Sequence, residues 1–480
     1  MHYFIYSTAD SWITSGSKYA GISSSNAQQN FGQDEILEVK KEFIDGSLQY
    51  FSRALVNFKG TDLTELSASV AAGTITNPTY KLRLYETEGT AELSTEYTLL
   101  ASPISESWDE GIGKFGDSPV TKEGVSWEYR NQYVQNGTSE SWHTPGCTVY
   151  LDQSTAQTAS ADITISDYTA LSGDTLQITS TGNATFTLTE GANWDSETSN
   201  NEAAKNLAVI VAAQSGFSAS AASAVVTMYQ EVSGSAGNTV ITPSAGGWTV
   251  QHQFQGGRDA TVVSGSTQSF SYESPDVNMD ISNMVKSWFS GSLSVNNGVL
   301  LQYSGSQETD NTTTGQLKFF SSNTNTIYPP KLEVLWDDHV VATGSTTGSL
   351  SSIDVSGTVD NYIYVKGLRD RYKETEKVKF RVGARPNVIP KTVSTTYNDV
   401  TSSFIPEGSG SYSILDASTG EVLVPFDTYS KLSCDVSGSY FNQWLNTFQP
   451  NRVYKILIKV LYDDNQEIIY DDNYEFKVVR

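Results

Sequence analysis

Between Val277 and Tyr303 the chain runs through three patterns in quick succession. Ile281, Met284, Val285 and Trp288 recur at i, i+3, i+4 and i+7, the single apolar face of an α-helix. Asp280 stands where an N-cap would accept the first free backbone N–H groups, and Gly291 follows the last periodic residue, as a helix end requires. Asn297-Gly298 is a turn pair, and Val299–Tyr303 then reads as a short buried strand. The stretch predicts a short helix from Asp280 to Trp288, docked on β-structure.

Two-residue alternation dominates elsewhere. Residues 36–40, 54–58 and 80–86 are β-branched or aromatic runs, and in the last Leu82 and Leu84 face one way while Lys81 and Arg83 face the other. Asn30-Phe31-Gly32 and Gly60 punctuate these strands. From about residue 151 the style changes. Small polar residues (153–160) lead into short strands at 162–165, 174–179 and 184–188. Ser199-Asn-Asn-Glu202 is a capping-box sequence opening a helix to about Ala213, and strands return at 224–230 and 248–254. From Phe270 the earlier pattern resumes through 317–322 and 329–336.

The Gly/Ser/Thr run 342–352 reads as a flexible linker. Strands at 362–367, 377–383, 454–463 and 474–479 follow, with a short helix near 441–448 at an edge. The fold class predicted is therefore mainly β. It comprises a β-sandwich of residues 1–151 and 263–337, an inserted small α+β module (152–262), a linker (338–352) and a C-terminal Ig-like β-sandwich (353–480).

Composition supports the β-rich class: 26 Tyr and 37 Gly in 480 residues,. Thirty basic residues against 54 acidic ones give a formal charge of −24, with no Lys/Arg cluster to track phosphates, so nucleic acid is not an expected partner,. No run approaches the roughly 18 apolar residues of a membrane span, and no membrane association is expected. The N-terminus lacks the basic start and apolar run of a signal peptide, and the two cysteines, Cys147 and Cys434, fall in different predicted domains and suit a reducing cytoplasm.

Candidate chemistry is sparse. His2, His143, His252 and His339 lie in separate segments, none with a second ligand at zinc spacing, and read as surface or loop residues. Gly234-Ser-Ala-Gly237 lacks the context of a nucleophile elbow and reads as a turn. Asp109 with Glu110, and Asp471 with Asp472, are adjacent acids, which point to opposite faces when extended. Asp463, Asn465 and Glu467 alternate like a calcium loop, but Ile468 stands where glycine is needed and Tyr474 where glutamate is, so a hairpin turn is the simpler reading. Trp12, Trp108, Trp127, Trp142 and Trp288 are candidates for a sugar-stacking platform, or else for core and loop anchors. No catalytic, cofactor or metal residue is assigned on this basis.

With residues 152–262 removed, the flanking segments form one continuous pattern. Ala9-Asp10 with Trp12, Asn30-Phe31-Gly32 before ILEV and Arg53 in SRALVNF open it. Trp108 with Glu110-Gly111, Trp127, Trp142 with Pro145-Gly146, the Asp280–Trp288 helix, Asn297-Gly298 and Pro330-Lys-Leu-Glu-Val follow. This order resembles the DNRLRE-type jelly-roll domain, a β-sandwich found in secreted multidomain proteins and as a carbohydrate-binding module. The intervening pieces SDYTALSGDTLQI, TSNNEAAKNLA, SASAASAVVTM and SAGNTVI with FQGG resemble a small α+β unit of tailed-phage structural proteins.

The resemblances imply a non-enzymatic virion component at the neck, tail, head surface or fibre of a bacteriophage. Its partners would be other virion proteins in a symmetric, multi-copy assembly. The alternative is a carbohydrate-binding protein, extracellular or displayed on a virion, that recognises a host surface glycan.

Overall fold

The computed structural model describes residues 1–16, 25–44, 48–89, 96–133, 139–150, 156–244, 246–258, 263–271, 276–293, 296–310, 312–388 and 403–480. The fold is mainly β, with several antiparallel sheets and one large, nearly closed sandwich.

That sandwich is built on the strand His2–Thr14. Residues 2–6 pair with Lys331–Leu335, and residues 7–14 pair with Leu48–Phe58. The register shifts between Ser7 and Ala9. Such an irregularity bends a strand and raises its twist, which lets one segment join both groups of strands. On one side the sheet continues through Thr79–Leu84 to Val277–Asp280. On the other it passes through Val299–Tyr303 and Glu96–Pro103 to Ser266–Ser271, with Ile36–Ile44, Gly315–Phe320 and Glu86–Gly89 as a branch. All eleven strands come from residues before 104 or after 265. Leu82 and Leu84 point into the core with Ile5, Leu37, Val56, Leu301 and Val334, while Lys81 and Arg83 face outward, so the alternation is realised.

Helix α1 (Gly60–Ala71) is an addition to the predicted elements and buries Leu63 and Leu66. Helix α2 (Asn200–Ala212) begins as its sequence predicts, with the Ser199 hydroxyl accepting from Glu202 N–H at 3.2 Å. Helix α3 is the predicted docked helix, but its limits are Ser282–Ser290. Ile281 occupies the N-cap position, and Asp280 ends a strand while its carboxylate accepts from Ser282 N–H at 2.9 Å. Gly291 closes the helix with φ 74°, a conformation that costs glycine nothing,. Ile281, Met284 and Val285 are fully buried, whereas Trp288 is only half-buried and its indole N–H has no hydrogen-bond partner among the described residues.

Strands between 160 and 255 form two sheets of their own. One has the order Phe217–Ala222, Val225–Gln230, Ser160–Ile165, Trp248–Gln255; the other is Thr185–Thr189, Thr175–Thr179, Thr242–Pro243. Together with α2 they bury a separate core around Ile163, Leu176, Leu207, Val226 and Phe254. The incoming and outgoing chains meet at Gln157 and Arg258, which exchange backbone hydrogen bonds of 2.8 and 3.1 Å.

The C-terminal strands form two more sheets over a third core. One sheet is Asn361–Lys366, Lys377–Pro386, Gly438–Trp444, Ser433–Asp435. The other is Arg371–Lys373, Glu467–Val479, Val453–Leu461, Gly410–Asp416, Val422–Val424. Two expectations are corrected here. Residues 441–444 continue a strand, with Phe441 stacked on Tyr412 at 3.9 Å, and only Leu445–Thr447 make a 3₁₀ turn. The run expected to be a flexible linker is tied down. Thr343 heads a capping box over the turn Gly344–Thr347, Ala342 N–H donates to Glu407 (2.8 Å), and Val340 N–H donates to the Ser433 hydroxyl (3.1 Å).

Candidate functional site

Two polar clusters stand out from the apolar cores. The first lies where the loops of the large sandwich gather. Asn30 organises it: its side-chain amide donates to Glu110 O (2.7 Å) and Val125 O (2.8 Å), and its carbonyl accepts from Gly32 N–H (3.1 Å) and Gly113 N–H (2.7 Å). The approach is so close that a Cβ on Gly111, at φ 77°, would lie 2.5 Å from Asn30 Oδ1. Beside this hub Glu110 accepts from the backbone N–H of Asp10 at 3.0 Å. Asp10, almost wholly buried, accepts from Ser322 N–H and the Ser7 hydroxyl, both at 2.9 Å.

Among the described residues neither acid has an ion-pair partner. Burial, reinforced by the charges of Asp10 and Asp109, pushes the Glu110 carboxyl up to about 7 despite the Asp10 N–H. Burial likewise raises Asp10 above the usual range against its three hydrogen bonds. The acid neighbouring in space to Glu110 is thus Asp10, while Asp109 is exposed. Chemically the pair can hold a proton near neutrality; structurally it binds the loop at 110 to the first strand and that strand to Ser322.

The indoles are distributed rather than gathered into a platform. Trp12 stacks on Phe31 at 3.7 Å and donates to Asp34 (3.1 Å). Trp108 donates to Asn297 O (2.8 Å) and Trp142 to Ser126 O (2.9 Å). Trp127 lies under the Arg53 guanidinium at 4.8 Å, and Arg53 in turn holds Glu308 through two bonds of 2.8 and 2.9 Å. Trp12 and Trp142 are buried, Trp108 and Trp127 are half-buried loop anchors, and Trp288 packs elsewhere with α3. A groove of about 840 Å³ runs between α1 and α3, lined in part by Phe58, Leu63, Ala68, Trp288, Phe289 and Leu293.

The second cluster joins the large sandwich to the C-terminal one. His2, expected at the surface, is buried: Nδ1 lies 2.8 Å from Glu333 and Nε2 3.2 Å from Asp427. Arg83 holds the other Glu333 oxygen at 2.9 Å. The Met1 amino group donates to Trp336 O and Tyr429 O. Tyr6 hydroxyl donates to Thr447 O (2.9 Å), Asn446 to the Tyr3 hydroxyl (3.0 Å), and Gln443 to His2 O (3.2 Å). Lys331 is enclosed between the Phe4 and Tyr85 rings at 4.6 and 4.9 Å, and burial lowers its ammonium to about 8.

The remaining candidates are accounted for locally. Asp471 pairs with Lys455 at 2.7 Å, and Asp472 accepts from the Tyr474 hydroxyl at 3.4 Å. Asp463–Glu467 is a hairpin turn with Asn465 at φ 60°, and Glu467 pairs with Lys459 at 3.0 Å. His252 pairs with Asp162 and His339 with Glu407, and the backbone N–H of His143 donates to Glu106. Gly234–Gly237 forms a single 3₁₀ turn. Cys147 and Cys434 are free and buried. Among the described residues no group of three or more His, Cys, Asp or Glu side chains could hold a metal ion, and no helix is long and apolar enough to cross a membrane.

Fold and clusters together describe a β-sandwich protein with one polar cluster among the loops of its large sandwich and another where that sandwich meets the C-terminal sheets. Comparison of the chain with protein-family models, curated proteins and solved structures finds no match.

Proposed function

We propose that this protein is a non-enzymatic building block of a larger particle, a structural component of a tailed-phage virion. The observation that carries the reading is the junction at His2, a buried ring that meets buried Glu333 within the large sandwich and the partly exposed Asp427 of the C-terminal one, and so ties the two sandwiches together. A part that transmits contacts across an assembly needs fixed geometry between its modules, and directional bonds from His2, Tyr6 and Gln443 across the junction favour one arrangement,. The reading gains support from the loop cluster, where Asn30, Glu110 and four indoles brace backbone carbonyls, backbone N–H groups and packed side chains. Partners would be neighbouring virion proteins or further copies of this chain at symmetry-related places.

The test is reconstruction of purified particles by electron microscopy, beside a polysaccharide hydrolysis screen and a glycan array on the isolated chain. Density at a repeated, symmetric position without turnover is the expected result. Turnover of a defined glycan, abolished by a single substitution at Asp10 or Glu110, overturns it. Tight glycan binding lost on substituting an exposed aromatic residue would point to recognition instead.

A further inference from the structure

We infer that His2 is a doubly protonated clasp between the large sandwich and the C-terminal one, and that the junction loosens when this imidazole loses its second proton. The argument begins with donor counting. Both ring nitrogens face carboxylate oxygens, Nδ1 toward Glu333 and Nε2 toward Asp427. A neutral imidazole carries one N–H, so either tautomer would turn a ring lone pair toward an oxygen lone pair. Only the imidazolium donates to both. Glu333 sits on the strand beside His2 in the large sandwich, whereas Asp427 belongs to the C-terminal one, so the second proton is the one that bridges them.

The surroundings fit a charged ring. Arg83 holds Glu333, and Asp427 also accepts from Tyr429 N–H at 2.7 Å. The Tyr429 ring meets the imidazole edge-on at 6.2 Å, and Gln443 donates to the His2 carbonyl. The other charged neighbours are the Met1 amino group, Asp337, Asp338 and Lys331. Burial opposes the charge on His2, but the bonds to Asp427 and Glu333 outweigh it and hold the ring above the ordinary 6.5. Burial would raise both carboxyls, yet the imidazolium, with Arg83 for Glu333, leaves them lowered.

The signs follow. The His2 contribution is complete below its unfolded value of 6.5 and is lost as pH rises through the higher folded value,. The carboxylate contributions are present above their unfolded values and are lost as pH falls through the lowered ones. The clasp is therefore closed between those limits and opens on the alkaline side. The Met1 amino group works in the opposite sense, because burial lowers it below 8.0 and favours its neutral form at higher pH. Its bonds to Trp336 O and Tyr429 O survive deprotonation, since a neutral amine keeps two N–H donors.

The test uses the full chain. Nitrogen NMR of the four histidine rings, with His2→Gln to assign the His2 signal, reports how many ring nitrogens carry protons. The expected result is protonation of both His2 nitrogens at pH 6.5 and a midpoint above that value. Hydrogen exchange in the 425–431 segment, corrected for the intrinsic pH effect, should lose protection through the same midpoint. Asp427→Asn, which keeps a side-chain oxygen for Tyr429 N–H at this partly exposed site, should move both midpoints to lower pH. A single-protonated His2 at pH 6.5, or protection that does not follow its titration, overturns the inference.

Discussion

The loop cluster and the domain junction use the same residue types to opposite electrostatic effect. At the junction Glu333 and Asp427 lie against His2, and Glu333 also meets Arg83, so both carboxyls stay ionised despite burial. At the loop cluster Asp10 accepts from Ser322 and Ser7 and Glu110 accepts from the Asp10 backbone N–H, and burial raises both. Burial acts in the same direction in both places. What differs is whether the fold brings a cation alongside. At the junction the ionic contact from His2 to Asp427 stands beside neutral bonds from Tyr6, Asn446 and Gln443, while the loop cluster is held by hydrogen bonds around an acid that stays partly protonated near neutrality.

The largest effect should come from removing the shared acid of the junction. Glu333→Gln leaves His2 with Asp427 alone and the partly exposed Arg83 without its partner, so the cost should be about 3 kcal/mol, the low end for breaking a buried pair,. Chemical denaturation at pH 6.5 measures it, and a loss below about 1 kcal/mol would mean that the Glu333 charge is not needed to keep His2 and Arg83 in place.

A site without charge calibrates the contrast. Trp288→Ala should cost about 2 kcal/mol, less than a fully enclosed ring would, because the indole is half-buried and its N–H already lacks a partner,. Ser287→Ala, on the outer side of α3, should lie within about 0.5 kcal/mol of wild type. Neither loss should change between pH 5 and pH 8.

Glu110→Gln should act in the opposite sense to Glu333→Gln. The folded Glu110 value of about 7 exceeds its ordinary 4.5, so the folded state binds the extra proton and stability falls as pH rises through that interval,. Removing the titration should stabilise the protein by about 1 kcal/mol at pH 8, discounted for the partial solvent exposure of the group, and should change little at pH 5. Destabilisation at pH 8 would show that the ionised carboxylate is the form the loops require.

The smallest effect should follow excision of residues 156–258 with a short joining linker. Gln157 and Arg258 already pair, so the ends are adjacent, and the two remaining cores share no strand with the removed sheets. Circular dichroism should remain mainly β, with the melting temperature of the rest within a few degrees. Unfolding would show that the 160–255 sheets are integral to the sandwich.

Local order was legible where one segment carries its own physics. The 82/84 alternation, the Ser199 cap and Gly291 at the end of α3 each depend on neighbours a few residues away. Even α1 left a trace, since Leu63, Leu66 and Val70 stand at i, i+3 and i+7, although its Ser/Thr content masks the period. The Gly/Ser/Thr run at 342–352 misled for the converse reason: composition shows freedom in the unfolded chain, while Glu407 and Phe404, far along the sequence, hold it at Ala342 and Ser351.

By itself, then, the sequence determined the β-class, about half of the strands and the facing of residues 81–84, because these follow from backbone periodicity; the central strand His2–Thr14 was not among them. Only the tertiary structure decided which acid met a cation. Glu110 found Asp10 a hundred residues away, and His2 found Glu333 and Asp427 more than three hundred residues away. Electrostatic energy depends on distance in space and on the water excluded between the charges, and neither is set by separation along the chain.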